Sequence, residues 1–162
     1  MIRGARGLVL ATALLCAAPL AAKDASPLTP ATGSADRAAV LEALRTHPDM
    51  RFTFRYLRVW HDGDRAIAYA EGDNGVIGGF KSLLKHDGQT GWRTVWAEGD
   101  GGSDSCAAGA RHYQWAIALI QSYRIAPDRL FPGVTKQTRD LEKAAITDPE
   151  LQCVGDLEGG PE

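Results

Sequence analysis

The run Met50-Arg51-Phe52-Thr53-Phe54-Arg55-Tyr56-Leu57-Arg58-Val59-Trp60 alternates aromatic and polar side chains. Phe52, Phe54, Tyr56 and Trp60 recur at even positions with Arg51, Thr53 and Arg55 between them, and a period of two belongs to an extended strand. Leu57 and Val59 put aliphatic residues on the polar side, which points to a bulge or to a strand covered on both faces at that end. Asp62-Gly63-Asp64 is a hairpin signal, and Arg65 to Glu71 reads as the returning strand, with Ile67 and Tyr69 opposing Ala66, Ala68 and Ala70.

Outward from this hairpin, Phe80 to His86 and Trp92 to Glu98 read as two more strands joined through Asp87-Gly88-Gln89-Thr90-Gly91. Upstream, Ser34 is placed to cap a helix whose stripe is Val40, Leu41 and Leu44, running to about Thr46 and ended by Pro48. Downstream, a glycine-rich loop from Gly99 to Ser105 leads into a helix near Cys106 with Tyr113, Ala116, Ile117 and Ile120 at helical spacing. Ile125 to Phe131 reads as an extended or single-turn segment around Pro127, stopped by Pro132-Gly133. The expected fold is α+β over residues 35–133: an N-terminal helix on a curved four-stranded antiparallel meander, with a C-terminal helix after the sheet. From Asp140 onward seven acids face one base, Lys143, so residues 134–162 read as an acidic tail with a weak helix through Leu141 to Ile146.

The amino terminus reads differently. Arg3 and Arg6 precede an apolar run from Leu8 to Ala18 and a small-residue stretch ending at Ala22, the layout of a secretory signal peptide over residues 1–22. The apolar run is shorter than the roughly 20 residues a spanning helix needs. Leu15 before Cys16 departs from the lipoprotein pattern, which wants a small residue there. Residues 23–34, with Pro27, Pro30 and Gly33, read as a flexible leader.

Cleavage at that point removes two of the 18 basic residues and none of the 20 acidic ones, so a formal net charge of −2 becomes −4. Such a balance provides no broad positive field for nucleic acid or for an anionic membrane surface. It also leaves two cysteines, Cys106 and Cys153, and an even count in an oxidising compartment favours a disulfide. The expected location is periplasmic or secreted, with no membrane association after cleavage.

Asp36 to Arg45, Phe52 to Val59 and Gly91-Trp92-Arg93-Thr94-Val95-Trp96, in the order helix, strands, closing helix, resemble small exported bacterial proteins of unassigned function. Those look like helix-on-curved-sheet domains akin to cystatin-like and nuclear-transport-factor-2-like folds. The resemblance implies architecture and export, and carries over no active-site residue.

Four constellations have chemical potential. His61-Asp62-Gly63-Asp64 puts an imidazole beside carboxylates, although turns select Asp and Gly for backbone reasons alone. The loop Asp100 to Ser105, with Asp73 and Asn74, offers hard oxygen ligands without the twelve-residue EF-hand spacing. His112 on the second long helix becomes a general acid or base if it faces a concavity with Asp104 or Tyr69, and otherwise is a helix-surface histidine. Arg51, Arg55, Arg58, Arg65 and Arg93, interleaved with Trp60, Trp92 and Trp96, suggest a cationic and aromatic sheet face, with Arg51, Arg55, Trp60 and Trp96 its binding candidates. The plain alternative is an outer sheet face with core aromatics behind it. No motif calls for a metal or cofactor. The functional expectation is a non-enzymatic binding or inhibitory module that holds another envelope protein or polymer. The alternative is a pocket between helix and sheet that binds a small ligand or does acid/base chemistry, and a cavity of a few hundred Å³ with convergent polar groups favours it.

Overall fold

In a computed structural model of the chain, the residues described are 29–161 apart from Ile77 and Gln89. The expected signal peptide and the first half of the leader, residues 23–28, lie outside them. Helix α1 spans Ala35–Leu44, and the Ser34 hydroxyl accepts from the Arg37 amide at 3.3 Å, satisfying one of the orphan donors of the first turn. The helix ends two residues before the expected Thr46. Strands β1 Thr53–Asp62, β2 Arg65–Asp73, β3 Gly79–Asp87 and β4 Gly91–Gly99 follow. Then come β5 Asp104–Ser105, α2 Cys106–Gln121, α3 Pro127–Leu130, α4 Val134–Thr147, β6 Gln152–Val154 and β7 Leu157–Gly159.

The fold is α+β. Its main sheet has five strands in the order β1-β2-β3-β4-β7, every neighbouring pair antiparallel, and β5 pairs with β6 in a small second sheet. The fifth strand corrects the expected count of four. Helices cover both faces. On one face Val40 and Leu44 of α1 pack with Leu57, Val59, Ala68, Ala70 and Leu84. On the other, α2, α3 and α4 close over Ile67, Tyr69, Leu83 and Trp96. The second layer is the richer in aromatics: Tyr69 stacks on Phe131 at 4.1 Å, and Trp96 meets Tyr113 edge-on at 5.2 Å. All four of these rings are essentially without accessible surface. Aromatic pairs of this kind add about 0.5–1.5 kcal/mol beyond the area they bury.

Two bulges decide which residues face which layer. In β1 the register slips between Phe54 and Tyr56, leaving Arg55 as the extra residue. Phe52 and Phe54 therefore pack on the α1 side, while Tyr56 and Trp60 pack under α2. The single aromatic face expected for β1 is thus split in two, and Leu57 and Val59 are covered because the strand has helices on both sides. In β4 the slip falls between the partners of Leu83 and Leu84, with Val95 as the extra residue. It sends Trp92 to the α1 side and Trp96 to the α2 side.

The largest correction concerns residues 134–162. They are no tail: α4 buries Val134, Thr138 and Leu141 against the core, and β7 extends the sheet beside β4. The acids of α4 lie on its outer side, where Asp140 pairs with Lys136 and Glu142 accepts from Gln114. An amphipathic helix with polar residues outward needs only its narrow apolar stripe to dock.

Candidate functional site

A row of residues runs straight across the sheet. Tyr56, Glu71, Lys81, Glu98 and Leu157 are successive register partners from β1 to β7 on the α2 side. The middle three alternate acid, base, acid, and opposite charges on facing strand positions attract. Lys81 Nζ donates to Glu98 Oε1 at 3.1 Å and to the Tyr113 hydroxyl at 2.9 Å. The Tyr113 hydroxyl in turn donates to Glu98 Oε2. Tyr69, two residues before Glu71 on the same face, donates to Glu71 Oε2 at 2.5 Å, and Arg55 pairs with Glu71 Oε1 at 3.1 Å.

The row sits where the helical cover ends. Side-chain exposure is 10% for Glu98, 16% for Glu71 and 25% for Lys81, against 72% for Arg55. Over it opens a cleft of about 480 Å³ bounded by Glu71, Lys81, Glu98, Asp100, Ser103 and Gly155. Its wall is a clasp of two loops. Gly99 N donates to Asp156 O, Asp156 N to Gly101 O, and Leu157 N to Asp104 Oδ2, each at 2.9 to 3.0 Å. At Gly155 the backbones run so close that a Cβ would lie 1.8 Å from the Gly99 carbonyl oxygen. The Cys106–Cys153 disulfide, with Cα atoms 4.8 Å apart, ties β6 of this clasp to the first turn of α2.

Electrostatics hold the tyrosines as donors. Burial, reinforced by the neighbouring Glu71 carboxylate, pushes the Tyr69 hydroxyl far above the usual phenol range. Burial and the Glu98 carboxylate do the same to Tyr113. Both keep their protons at neutral pH, and each holds a carboxylate in place.

The residues singled out from the sequence fall elsewhere for the most part. His112 is not on the helix surface; it is 4% exposed, stacked on Trp96, with Nε2 donating to the Ala97 carbonyl at 3.0 Å. Burial pushes its imidazole down from the ordinary value, so it is neutral at physiological pH. Asp104 accepts from the Leu157 amide, and Tyr69 bonds Glu71, so the three do not assemble as an acid/base group. Among the four binding candidates, Trp96 has no accessible surface and Trp60 donates its indole N–H to the Tyr123 carbonyl. Arg51 donates to the carbonyls of Pro48 and Met50, while Arg55 pairs with Glu71 and, with Arg58, lies over the Tyr56 ring at 5.3 Å. Of the further arginines, Arg58 reaches the Arg129 carbonyl and Arg65 reaches Asp62.

The hairpin residue His61 contacts Asp36 at 2.9 Å, while Asp62 is held by Arg65 and Arg124, whose guanidinium groups keep its carboxyl below the usual range. In the glycine-rich loop, Asp100 Oδ2 accepts from the Gly79 amide at 2.7 Å. Asp73 Oδ1 accepts from the Gly75 amide and Asn74 Oδ1 from that of Val76, so these oxygens serve the backbone. Among the described residues no group of three or more His, Cys, Asp or Glu side chains is arranged to hold a metal ion, and no helix is long and apolar enough to cross a membrane.

Lys81, Glu71, Glu98 and Tyr113 were not singled out from sequence as site residues. One signal was present: each glutamate stands two positions after an inward aromatic, Tyr69 or Trp96, and so continues that strand's covered face. No protein-family model, curated protein or solved structure matches the chain.

Proposed function

We propose that the protein is an exported binding module that holds a small polar ligand in the cleft over Glu71, Lys81 and Glu98. The observation that supports this reading is the cleft itself: about 480 Å³ of space with three charged side chains converging on its floor. That is within the size range of a small-molecule site, and the charged floor suits a polar ligand. Binding is favoured over acid/base turnover because Tyr69 and Tyr113, the phenols bonded to the two glutamates of the cleft, are held as protonated donors, and neutral His112 faces the Trp96 ring. A sheet-face interaction with an envelope polymer has less support, since Trp96 is buried and Arg55 is paired with Glu71. The export component rests on Arg3, Arg6 and the apolar run from Leu8 to Ala18, and fits a chain with a disulfide.

The test is amide NMR of the purified protein titrated with acetate, glutarate, glucose, glycine and putrescine in turn. A ligand cleft predicts that at least one compound shifts the amides of Gly99, Gly102, Ser103, Val154 and Gly155 together. Silence of these amides toward all five would remove the reading. For export, mass spectrometry of the protein from its native host is expected to show a chain lacking Met1 and the apolar run; an intact amino terminus overturns that part.

A further inference from the structure

We propose that the cleft recognises the ammonium or guanidinium head of a small organic cation, an inference that rests on the ligand-cleft reading and names the ligand's chemistry. The first argument is charge. Glu71, Glu98 and Asp100 line the cleft against the single cation Lys81, a local balance of −2. Arg55 pairs with Glu71 from outside and is 72% exposed, where water screens it.

The second argument is the count of unused hydrogen-bonding positions. Each carboxylate oxygen accepts two hydrogen bonds. Glu71 Oε1 receives one from Arg55 and Oε2 one from Tyr69; Glu98 Oε1 receives one from Lys81 and Oε2 one from Tyr113. One acceptor position remains on each of these four oxygens. Lys81 has three N–H donors, two of them directed at Glu98 and Tyr113, which leaves one. Across Glu71, Glu98 and Lys81 that makes four acceptors against one donor, which suits a ligand rich in N–H groups, and an ammonium or guanidinium has three to five of them.

The third argument is preorganisation. Glu98 is nine-tenths buried and fixed by two donors, and Glu71 is held from both sides by Tyr69 and Arg55. Their acceptor positions therefore need no rearrangement on binding, which lowers the entropy cost of association. An anion in the same place would lie beside two fixed carboxylates, with Lys81 the one cationic side chain of the lining to offset them.

Calorimetric titration of the full, oxidised chain with putrescine and agmatine tests this, with tetramethylammonium as a cation lacking N–H groups and with acetate and glutarate as anions. Putrescine and agmatine are expected to bind. Tetramethylammonium is expected to bind at least about tenfold more weakly, and Glu71→Gln to weaken putrescine by about tenfold or more, the loss for one charge-assisted hydrogen bond. The variant's melting curve shows whether it is folded, and the comparison of putrescine with tetramethylammonium on the unaltered protein stands without it. Tetramethylammonium binding as tightly as putrescine, or a folded Glu71→Gln protein that binds putrescine unchanged, overturns the proposal. Binding of the anions alone also overturns it while leaving the cleft a ligand site. Silence toward every compound removes both readings.

Discussion

Trp96 and His112 hold each other at two points: their rings stack with centroids 4.9 Å apart, and the indole N–H of Trp96 donates to the His112 carbonyl at 3.1 Å. The pair locks α2 to β4, and the His112 ring is fixed in its neutral form. Because burial lowers the folded-state pKa, the unfolded chain takes up a proton at His112 before the folded one does. Stability contributed at this site is complete above the unfolded value of about 6.5 and declines as pH falls below it. Melting temperature should therefore drop between pH 7 and pH 5, and the drop should be smaller in His112→Gln. An equal drop in both proteins would show that the imidazole is not the group responsible.

The Lys81–Glu98 pair is the most covered ion pair of the acid–base–acid row, and removing one partner leaves the other poorly hydrated. Lys81→Met should destabilise the protein by about 1–3 kcal/mol, the cost of an unsatisfied and largely buried partner. Arg55→Met removes a mostly exposed guanidinium and should cost less than about 1 kcal/mol. Chemical denaturation of both variants measures the difference, and equal losses contradict the burial argument.

The disulfide closes a loop between positions 47 residues apart, which in the chain-entropy treatment corresponds to roughly 4 kcal/mol. The Cys106→Ala/Cys153→Ala double variant should melt at a markedly lower temperature, and amides of β6 and β7 should exchange faster than those of β2 and β3. Nonreducing peptide mapping that recovers both thiols free from the purified protein would contradict the bond itself.

Gly155→Ala should be severe, because the added Cβ meets the Gly99 carbonyl backbone at 1.8 Å and neither segment is a flexible side chain. Gly88→Ala is the control: the turn is exposed and a Cβ there meets nothing within 4 Å, so its effect should stay within about 0.5 kcal/mol. Comparable melting temperatures for the two variants would show that the loop clasp gives way easily.

Much of the architecture was legible locally. Ser34 as a cap, the start of α2 near Cys106 and the extent of β2 to β4 all follow from interactions within a few residues, where cap chemistry and side-chain period act directly. The face assignments of β1 and β4 were not legible, because one extra residue at Arg55 or Val95 reverses every side chain beyond it. Leu57 and Val59 pointed to a bulge or double cover in β1, but the position of a bulge is fixed by the partner strand and cannot be read from the strand's own composition.

The acidic end misled for a related reason. Its seven acids suggested a solvated tail, but Val134 and Leu141 suffice to dock α4, and three residues of β7 bond to β4 through backbone groups that any sequence possesses. The site was hidden in the same way. Glu71, Lys81 and Glu98 are 10 and 17 positions apart in the chain, and only strand register makes them neighbours.

By itself, then, the amino-acid sequence determined the local elements, the absence of a broad positive field and the pair of cysteines able to bond, since each depends on residue chemistry or short-range geometry. Tertiary structure alone decided the fifth strand, the burial of His112 and Trp96, and the cleft with its row of alternating charges. Those features arise where segments far apart in the chain exclude water together, and desolvation belongs to the assembled surfaces rather than to any one stretch of sequence.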